Sequence, residues 1–337
     1  MTATGAVLAL LTAPDAAGGQ GVAGSGISVT ASELLTVARE LAEGLGEQLE
    51  AVWVGGLGAG VLESLGAFGV SRVHHLAKAP ATTTELASAL EELFGAKGQS
   101  ALLATTSFAT RELAARLGVR LGAGVLVDAS RIELVDGRLV AERTAFAATW
   151  WSRCAVLASP AVVTVKPHSA EPRPAEEALE PELVPLAPGL GDPRVRVVSR
   201  TERAATGRPE LATASTVVVG GRGTEGKFTV LTELADELGA ALGATRVATD
   251  EGWVGHELQV GQTGVTINPV LYIGAGVAGA VHHVGGMRAA QTVVAINSDP
   301  EAPLMELADY AVVGDLFDVV PRLTARLREL RARATEG

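Results

Sequence analysis

The sequence predicts an α/β protein built from two doubly wound domains, each with a mainly parallel sheet covered by helices. Three observations lead to this fold class. Apolar runs of strand length alternate with helical patterns through the first half of the chain. The same alternation resumes at Thr216, after a long segment without periodicity. In the second half, two strand-like runs are each followed by a glycine-rich turn and a helical pattern.

We assign residues 1–205 to the first domain. Its predicted strands are Ala6–Leu11, Ala51–Val54, Val70–Leu76 and Ala101–Thr105. Helices are predicted from about Ala31 and near Thr84–Phe94 and Thr110–Leu117. Thr30 and Glu33 have the spacing of a capping box at the start of the first helix.

The pattern changes after Val125, where one strand-like run follows another. Ile132–Val135 and Leu139–Glu142 are joined by Asp136-Gly137, a strong hairpin signal that predicts an antiparallel extension of the sheet. His168–Asp192 is rich in Pro, Glu and Ala, and we interpret it as an extended surface connection. One more strand is predicted at Val195–Val198, and the domain boundary is placed near Thr206.

The second domain, residues 206–337, begins with a strand at Thr216–Gly220 and a helix from about Phe228 to Leu242. Another strand precedes a glycine turn at Gly274, and two further strands end near Asn297 and Asp315. A final helix at Val319–Ala334 has Leu323, Leu327 and Leu330 on one face, which we expect to dock on another surface.

Composition excludes several classes of function. A net charge of −11 argues against nonspecific nucleic-acid binding, and the single cysteine, Cys154, excludes internal disulfides and thiolate-held iron–sulfur or zinc sites. Neither a metal-ligand spacing nor a Ser/His/Asp or Cys/His set is evident. Ala6–Leu11 is too short for a membrane span and follows no basic residues, so we expect no membrane insertion, no signal peptide and a cytoplasmic location.

The turn containing Gly274, Gly276 and Gly279 follows a predicted strand and opens a helix. Glycines there let the backbone approach a pyrophosphate, and Asp299 lies about twenty positions further on, so the context of a dinucleotide fingerprint is present. An ordinary glycine-rich turn is the alternative. A second such turn carries the cation of Arg222, and the polar strings at 244–246 and 259–264 are predicted to be loops at the carboxyl ends of strands.

Six strings resemble those of the alpha subunit of electron transfer flavoproteins, the FixB-like family. They are Gly220–Gly223, Gly243–Arg246, Val260–Gly264, Leu271–Met287, Ala295–Pro303 and Val313–Phe317. The resemblance implies FAD held by a Rossmann-like second domain of the deoxyhypusine-synthase type, and a first domain of nucleotide-hydrolase-like fold that faces a beta subunit in a heterodimer. It also implies a non-catalytic electron carrier of fatty acid β-oxidation, which accepts electrons from dehydrogenases such as acyl-CoA dehydrogenases and passes them to a quinone-linked oxidoreductase.

The positions expected to contact FAD come from matching these strings and from the polar loops. They are Arg222, Thr245, Arg246, Val260, Gly261, Gln262, Thr263, Ala278, Gly279, Ala280, Val281, His282, His283, Asn297, Asp315 and Leu316. Ala278 and His282 stand where the family commonly has Ser and Gln, so a side-chain contact at residue 278 is lost.

Physical roles follow for some of these residues. Arg246 and His283 are candidate positive or donor groups beside the isoalloxazine ring, where they would favour its reduction. Arg246 could instead form a surface ion pair with Asp250 or Glu251, and His283 could be a packed histidine with satisfied hydrogen bonds. A structural role is favoured for His282.

Two other classes of function remain open from the sequence. An NAD-dependent dehydrogenase could use the same glycine turn, but no substrate domain with a catalytic His or Lys pair follows it. A non-redox nucleotide-binding subunit would share the fold without electron transfer.

Overall fold

A computed structural model describes residues 5–13, 26–146, 148–192, 194–199, 201 and 207–335. The expected domain boundary near Thr206 lies outside these residues. The chain divides into two compact units, one formed by residues up to 144 with 151–204, the other by 145–150 and the chain from 205 onward. Each unit has its own α/β core.

Nine strands of the described chain form the sheet of the first unit. They are β1 (Ala6–Thr12), β2 (Gln48–Val54), β3 (Val70–Leu76), β4 (Ala101–Thr105), β5 (Gly124–Val135), β6 (Arg138–Ala145), β7 (Trp150–Ala155), β8 (Ala161–Val165) and β9 (Glu182–Pro185). Their order is β7-β6-β5-β8-β4-β1-β2-β3-β9. The pairings from β5 through β8 to β9 are parallel, whereas β5 and β6 are antiparallel. The predicted antiparallel extension is therefore confirmed.

Helices cover both faces of this sheet. They are α1 (Val29–Leu45), α2 (Val61–Ala67), α3 (Thr83–Lys97) and α4 (Phe108–Leu121). Successive residues of β1 point to opposite faces, so Val7 packs in the core with Leu34 and Leu35 of α1, whereas Leu8 packs in the core with Leu90 of α3. A sheet with apolar side chains on both faces explains the continuous apolar runs of its central strands.

The start of α1 differs from the prediction. Its N-cap is Ser28, whose Oγ accepts a hydrogen bond from the backbone N–H of Ala31. Glu33 does not complete a capping box, because its carboxylate is buried and accepts a hydrogen bond from the backbone N–H of His168 at 2.8 Å. The capping-box prediction was wrong because the Glu33 carboxylate accepts its hydrogen bond from a residue distant in the sequence.

Two expectations for the end of the first unit are also corrected. Val195–Val198 is not a strand: the backbone there is irregular, and Val195, Val197 and Val198 are exposed. The outer strand beside β3 is instead β9, which lies within the segment interpreted as a surface connection. Apolar β-branched residues predict a strand only where a neighbouring sheet edge is available to pair with them.

Five strands of the described chain form a fully parallel sheet in the second unit. They are β10 (Thr216–Gly220), β11 (Ala241–Ala244), β12 (Leu271–Ala275), β13 (Thr292–Asn297) and β14 (Tyr310–Val313), in the order β11-β10-β12-β13-β14. The helices are α5 (Thr229–Leu238), α6 (Arg246–Asp250), α7 (Val281–Met287), α8 (Pro303–Leu307) and α9 (Leu316–Thr335). The expected α/β fold class with two parallel-sheet units is confirmed.

The predicted helix at Phe228–Leu242 is too long. Helix α5 ends at Leu238, because Gly239 takes the left-handed conformation (φ 61°) that terminates it. The chain then forms β11 from Ala241, which pairs with β10. Ala and Leu are strong helix formers, so their propensity extended the predicted helix past the glycine that ends it.

The apolar face of α9 packs within its own unit. Leu323 and Leu327 contact the core that contains Leu231 and Leu234 of α5, and only Leu330 of the three predicted leucines is exposed, at 47%. The expectation that this face docks on another surface was therefore wrong for Leu323 and Leu327. No helix of the described chain is long and apolar enough to cross a membrane.

Candidate cofactor site

The two glycine turns meet where the strand order of the second sheet reverses. Strands β10 and β12 are neighbours there, and the Gly221 N–H donates to the carbonyl of Ala275 at 3.1 Å. A Cβ added to Gly221 would lie 2.2 Å from the carbonyl oxygen of Gly276, so the two turns touch backbone to backbone. In open α/β sheets, ligands bind outside the carboxyl ends of strands at this reversal point.

A cleft of about 360 Å³ opens beside these turns. It is lined by Arg222, by the segments 245–247, 259–261 and 278–280, and by Thr263, His282 and His283. Most of the predicted site residues thus line one cavity. Val247 and Gln259 also line it and were not among the predicted FAD contacts. Gln259 is the first residue of the polar string 259–264, which the sequence predicted to be a loop at a strand end, and this was the signal for it.

Thr245 has an unsatisfied hydroxyl in this cleft. It is the N-cap residue of α6 but makes no side-chain capping bond, and its Oγ is buried without a hydrogen-bond partner among the described residues. A buried hydroxyl without a partner costs free energy. This orphaned group fits a site in which a bound ligand supplies the missing partner.

The loop at residues 259–263 is held by side-chain amides. The Gln259 carboxamide accepts a hydrogen bond from Thr249 Oγ and donates to Thr263 Oγ, each at 2.9 Å. Because Thr263 Oγ acts as an acceptor there, its own hydroxyl proton is left to donate elsewhere. Thr263 is thereby available as a hydrogen-bond donor at the cleft.

Gln262 does not itself line the cleft but fixes a residue that does. Its backbone N–H donates to the carbonyl of His282, and its side-chain oxygen lies 2.9 Å from His282 Nδ1, which must donate to it. His282 is otherwise exposed to solvent at the cleft. Val281, the residue before it, is exposed and lies outside the cleft lining.

His283 has both ring nitrogens engaged within the protein. Nε2 lies 2.8 Å from the Tyr272 hydroxyl, and Nδ1 lies 3.0 Å from the carbonyl oxygen of Val260. Burial lowers the pKa of His283 to about 4, so the ring is neutral at pH 7. A positive His283 beside a bound ring is therefore excluded at that pH, in agreement with the packed-histidine alternative.

The turn before α7 exposes backbone donors. The described chain provides no acceptor for the N–H groups of Ala278, Gly279 and Ala280. Gly279 has φ 87°, and a Cβ there would lie 2.4 Å from the backbone nitrogen of Leu304. Only glycine fits this position, and the resulting turn presents successive N–H groups to an anion.

Two arginines bring positive charge to the cleft. Arg222 is exposed and forms no ion pair within the described chain. Arg246 lines the cleft and also forms an exposed ion pair with Asp250, with 3.1 Å between Nε and Oδ2. Arg246 therefore forms the surface ion pair that the sequence analysis gave as its alternative role, and it lines the cleft as well.

Asn297, Asp315 and Leu316 lie at the ends of β13 and β14 and outside the cleft lining. Asn297 Nδ2 donates to the carbonyl of Val277 at 3.0 Å, which ties the strand end to the glycine turn. Asp315 Oδ1 accepts a hydrogen bond from the Phe317 N–H at 2.8 Å, at the start of α9. Leu316 is buried against Gly276. These residues border the reversal point at the same edge of the sheet.

Comparison with known protein families identifies the family of this chain and the cofactor of that family. Residues 210–288 match the electron transfer flavoprotein FAD-binding domain, and residues 23–188 match the electron transfer flavoprotein domain. The electron transfer flavoprotein subunit alpha of Mycobacterium leprae is 36% identical over 302 residues, which cover 87% of this chain and 92% of that protein. The chain belongs to the electron transfer flavoprotein alpha-subunit family.

Other relatives carry the same name. The electron transfer flavoprotein subunit alpha of Thermoanaerobacterium thermosaccharolyticum is 33% identical over 310 residues, 89% of this chain and 94% of that protein. The one from Paracoccus denitrificans is 49% identical over 138 residues, 40% of this chain and 45% of that protein. The expected cofactor is confirmed as FAD, since the second unit contains the family's FAD-binding domain.

The residues present fit this cofactor. An electron transfer flavoprotein needs a long cleft with donors for a pyrophosphate and polar groups for hydroxyls and a ring edge. Within the described part of the chain, the N–H groups of the turn at Ala278–Ala280 have no acceptor and the buried Thr245 hydroxyl has no partner. Of the three classes of function considered from the sequence, the electron-transfer flavoprotein is the one that the family supports.

Proposed function

We propose that this chain is the alpha subunit of a non-catalytic electron carrier whose FAD occupies the cleft beside the two glycine turns. The observation that carries the proposal is the buried, unpaired hydroxyl of Thr245 at the carboxyl edge of the sheet. It lies in the same cleft as the free N–H groups of Ala278 and Gly279. Both features fit a ligand that accepts hydrogen bonds.

The pyrophosphate is assigned to the turn before α7. The N–H groups of Ala278, Gly279 and Ala280 would bind its oxygens, and Arg222 would balance its charge. Gly279 has no side chain and its two neighbours carry only methyl groups, which allows the close approach that such bonds require. Because these donors belong to the backbone, the change from Ser to Ala at residue 278 preserves them.

The flavin ring is assigned to the side of the cleft formed by α6 and the loop 260–263. When bound, FAD supplies the electron-accepting and electron-releasing chemistry of the site. The hydroxyl of Thr263 would donate to the ring edge, and the Arg246 guanidinium would lie beside it. A cation there stabilises negative charge gained on reduction and thereby raises the reduction potential.

The remaining predicted contacts are assigned to the sugar and adenine portions. Asn297 and Asp315 border the reversal point, where a carboxylate can accept hydrogen bonds from hydroxyl groups but would repel a phosphate. Leu316 would provide an apolar contact. Val260, Gly261, Gln262, Val281, His282 and His283 complete the proposed FAD contacts, with His283 acting from within the protein interior.

We further propose a heterodimer with an electron transfer flavoprotein beta subunit. The donors would be dehydrogenases such as acyl-CoA dehydrogenases, and the acceptor a quinone-linked oxidoreductase. A carrier needs no general acid or base at its flavin, and both ring nitrogens of His283 are already hydrogen-bonded within the protein. Cytoplasmic location and a role in β-oxidation stay predictions.

The test is an absorption spectrum of the chain co-expressed with the neighbouring beta-type subunit, before and after anaerobic reduction. Flavin bands at one FAD per heterodimer that bleach on reduction and return with an added quinone-linked acceptor would support the carrier. A colourless complex that binds NAD would contradict it. A Thr245→Val variant locates the site, because FAD bound in another cavity would be insensitive to this change.

A further inference from the structure

A buried tyrosine that is absent from the proposed FAD contacts lies beneath the cleft. Tyr272 in β12 is fully buried, and its hydroxyl oxygen lies 2.8 Å from His283 Nε2. Burial raises the pKa of Tyr272 far above its usual value, so the phenol keeps its proton at all physiological pH values. The hydroxyl therefore acts as a permanent hydrogen-bond donor.

The directions of both hydrogen bonds to His283 follow from its partners. The carbonyl oxygen of Val260 can only accept, so Nδ1 must carry the proton. Nε2 is then unprotonated in the neutral ring, and its lone pair accepts from Tyr272. Which nitrogen of a histidine is protonated is set by the partner of the other. Tyr272 and Val260 together select one tautomer.

His283 thereby joins the interior of the sheet to the loop that lines the cleft. The same loop is held at two further points: Gln262 donates its N–H to the His282 carbonyl, and Gly261 packs against Gly286. A Cβ on Gly286 would lie 2.4 Å from the Cα of Gly261, so the backbones of the loop and of α7 are in direct contact there. A change in the His283 ring would move the Val260 carbonyl.

We infer that Tyr272 is a positioning residue of the FAD site, which holds His283 in its Nδ1–H tautomer and thereby fixes the loop from Val260 to Thr263. The inference rests on the proposed function, since it takes the cleft to be the FAD site. His283 then has no free ring nitrogen for the cofactor. It acts through the position of the loop, and Tyr272 acts through His283.

The test compares Tyr272→Phe with Tyr310→Phe in the full heterodimer. Tyr310 is the other tyrosine of the chain and is 65% exposed in β14, so the control removes the same hydroxyl where it has no role in the cleft. Nitrogen-15 shifts of the histidine rings should show a buried Nδ1–H imidazole in the wild type and in Tyr310→Phe. Tyr272→Phe should show mixed tautomers, and its FAD release should be about fivefold faster, the effect of one lost hydrogen bond.

Two results would overturn the inference. One is an Nε2–H tautomer of His283 in the wild type, and the other is a Tyr272→Phe variant with unchanged ring shifts and unchanged FAD release. In a His283→Gln background, Tyr272→Phe should change release by less than twofold. A full fivefold effect there would mean that Tyr272 acts independently of His283. Failure of the wild type to bind FAD would instead contradict the proposed function and leave the tautomer measurement valid.

Discussion

The backbone N–H of Gly223 donates to the carbonyl oxygen of Gly276 at 3.0 Å. This bond joins the turn after β10 to the turn after β12, so two segments more than fifty residues apart form one backbone platform. With no side chain between them, the turns leave the cleft open beside the platform. The close approach explains why both turns contain glycine.

Gly221→Ala is expected to destabilise the second unit by about 3 kcal/mol, because its methyl group would lie 2.2 Å from the Gly276 carbonyl oxygen and must push the turns apart. The backbone of Gly221 has φ −106°, which alanine accepts, so the effect isolates the clash. Urea denaturation measures it. Gly56→Ala is the matched control, since no atom of the described residues lies within 4 Å of its added Cβ. Equal free energies of unfolding for the two variants would contradict the close backbone contact between the two turns.

Thr245→Val is expected to stabilise the protein without FAD and to weaken its affinity for FAD. Without FAD, the change removes a buried unsatisfied hydroxyl and should raise the free energy of unfolding by about 1 kcal/mol. FAD affinity should fall about tenfold through loss of the ligand hydrogen bond. Thermal unfolding and titration calorimetry measure the two quantities. Thr245→Ser keeps the hydroxyl and should retain the affinity; a tight-binding Thr245→Val variant would show that no ligand pairs with this group.

Arg246→Gln should change stability little and FAD binding substantially. The exposed ion pair with Asp250 at an i,i+4 spacing is worth about 0.5 kcal/mol. Loss of the guanidinium should weaken FAD binding about tenfold and lower its reduction potential. Potentiometric titration checks the second effect. Asp250→Asn breaks the same ion pair but keeps the cation, so it should not lower the potential. A lowered potential in both variants would point to the ion pair rather than the charge.

Acid is expected to destabilise the chain through His283. Its pKa is lowered to about 4 by burial, so between pH 6.5 and pH 4 the unfolded chain binds the proton that the folded chain excludes. The stability contributed by this residue is complete above pH 6.5 and lost as the pH falls toward 4, by about 3 kcal/mol in total. Denaturation of the wild type and His283→Gln across this range should give a shallower pH dependence for the variant. The same pH dependence of the free energy of unfolding in both proteins would contradict a neutral, buried His283.

Local sequence was enough to predict the elements with strong periodicity. The hairpin at Asp136-Gly137 and the glycine turns at Gly221 and Gly276 appear in the structure. Residues 136, 137 and 276 have positive φ, which few residue types adopt, whereas Gly221 has an ordinary φ but leaves no room for a Cβ. The strand predicted at Val195–Val198 failed, since strand formation there required a partner edge that the tertiary structure does not provide. The predicted α5 boundary failed because residues 240–242, which favour helix by propensity, lie beyond the terminating Gly239, and Ala241 begins the strand that pairs with β10.

The sequence alone determined the fold class, the two parallel sheets, the glycine turns and the family strings, since periodicity, turn chemistry and motifs are local properties. Only the tertiary structure decided the use of individual side chains. Among the described residues, both ring nitrogens of His283 are hydrogen-bonded, and the Thr245 hydroxyl has no partner. Gln259 also lines the cleft. Hydrogen-bond partners and burial come from residues distant in the chain, so the electrostatic state of a side chain depends on how those residues pack around it.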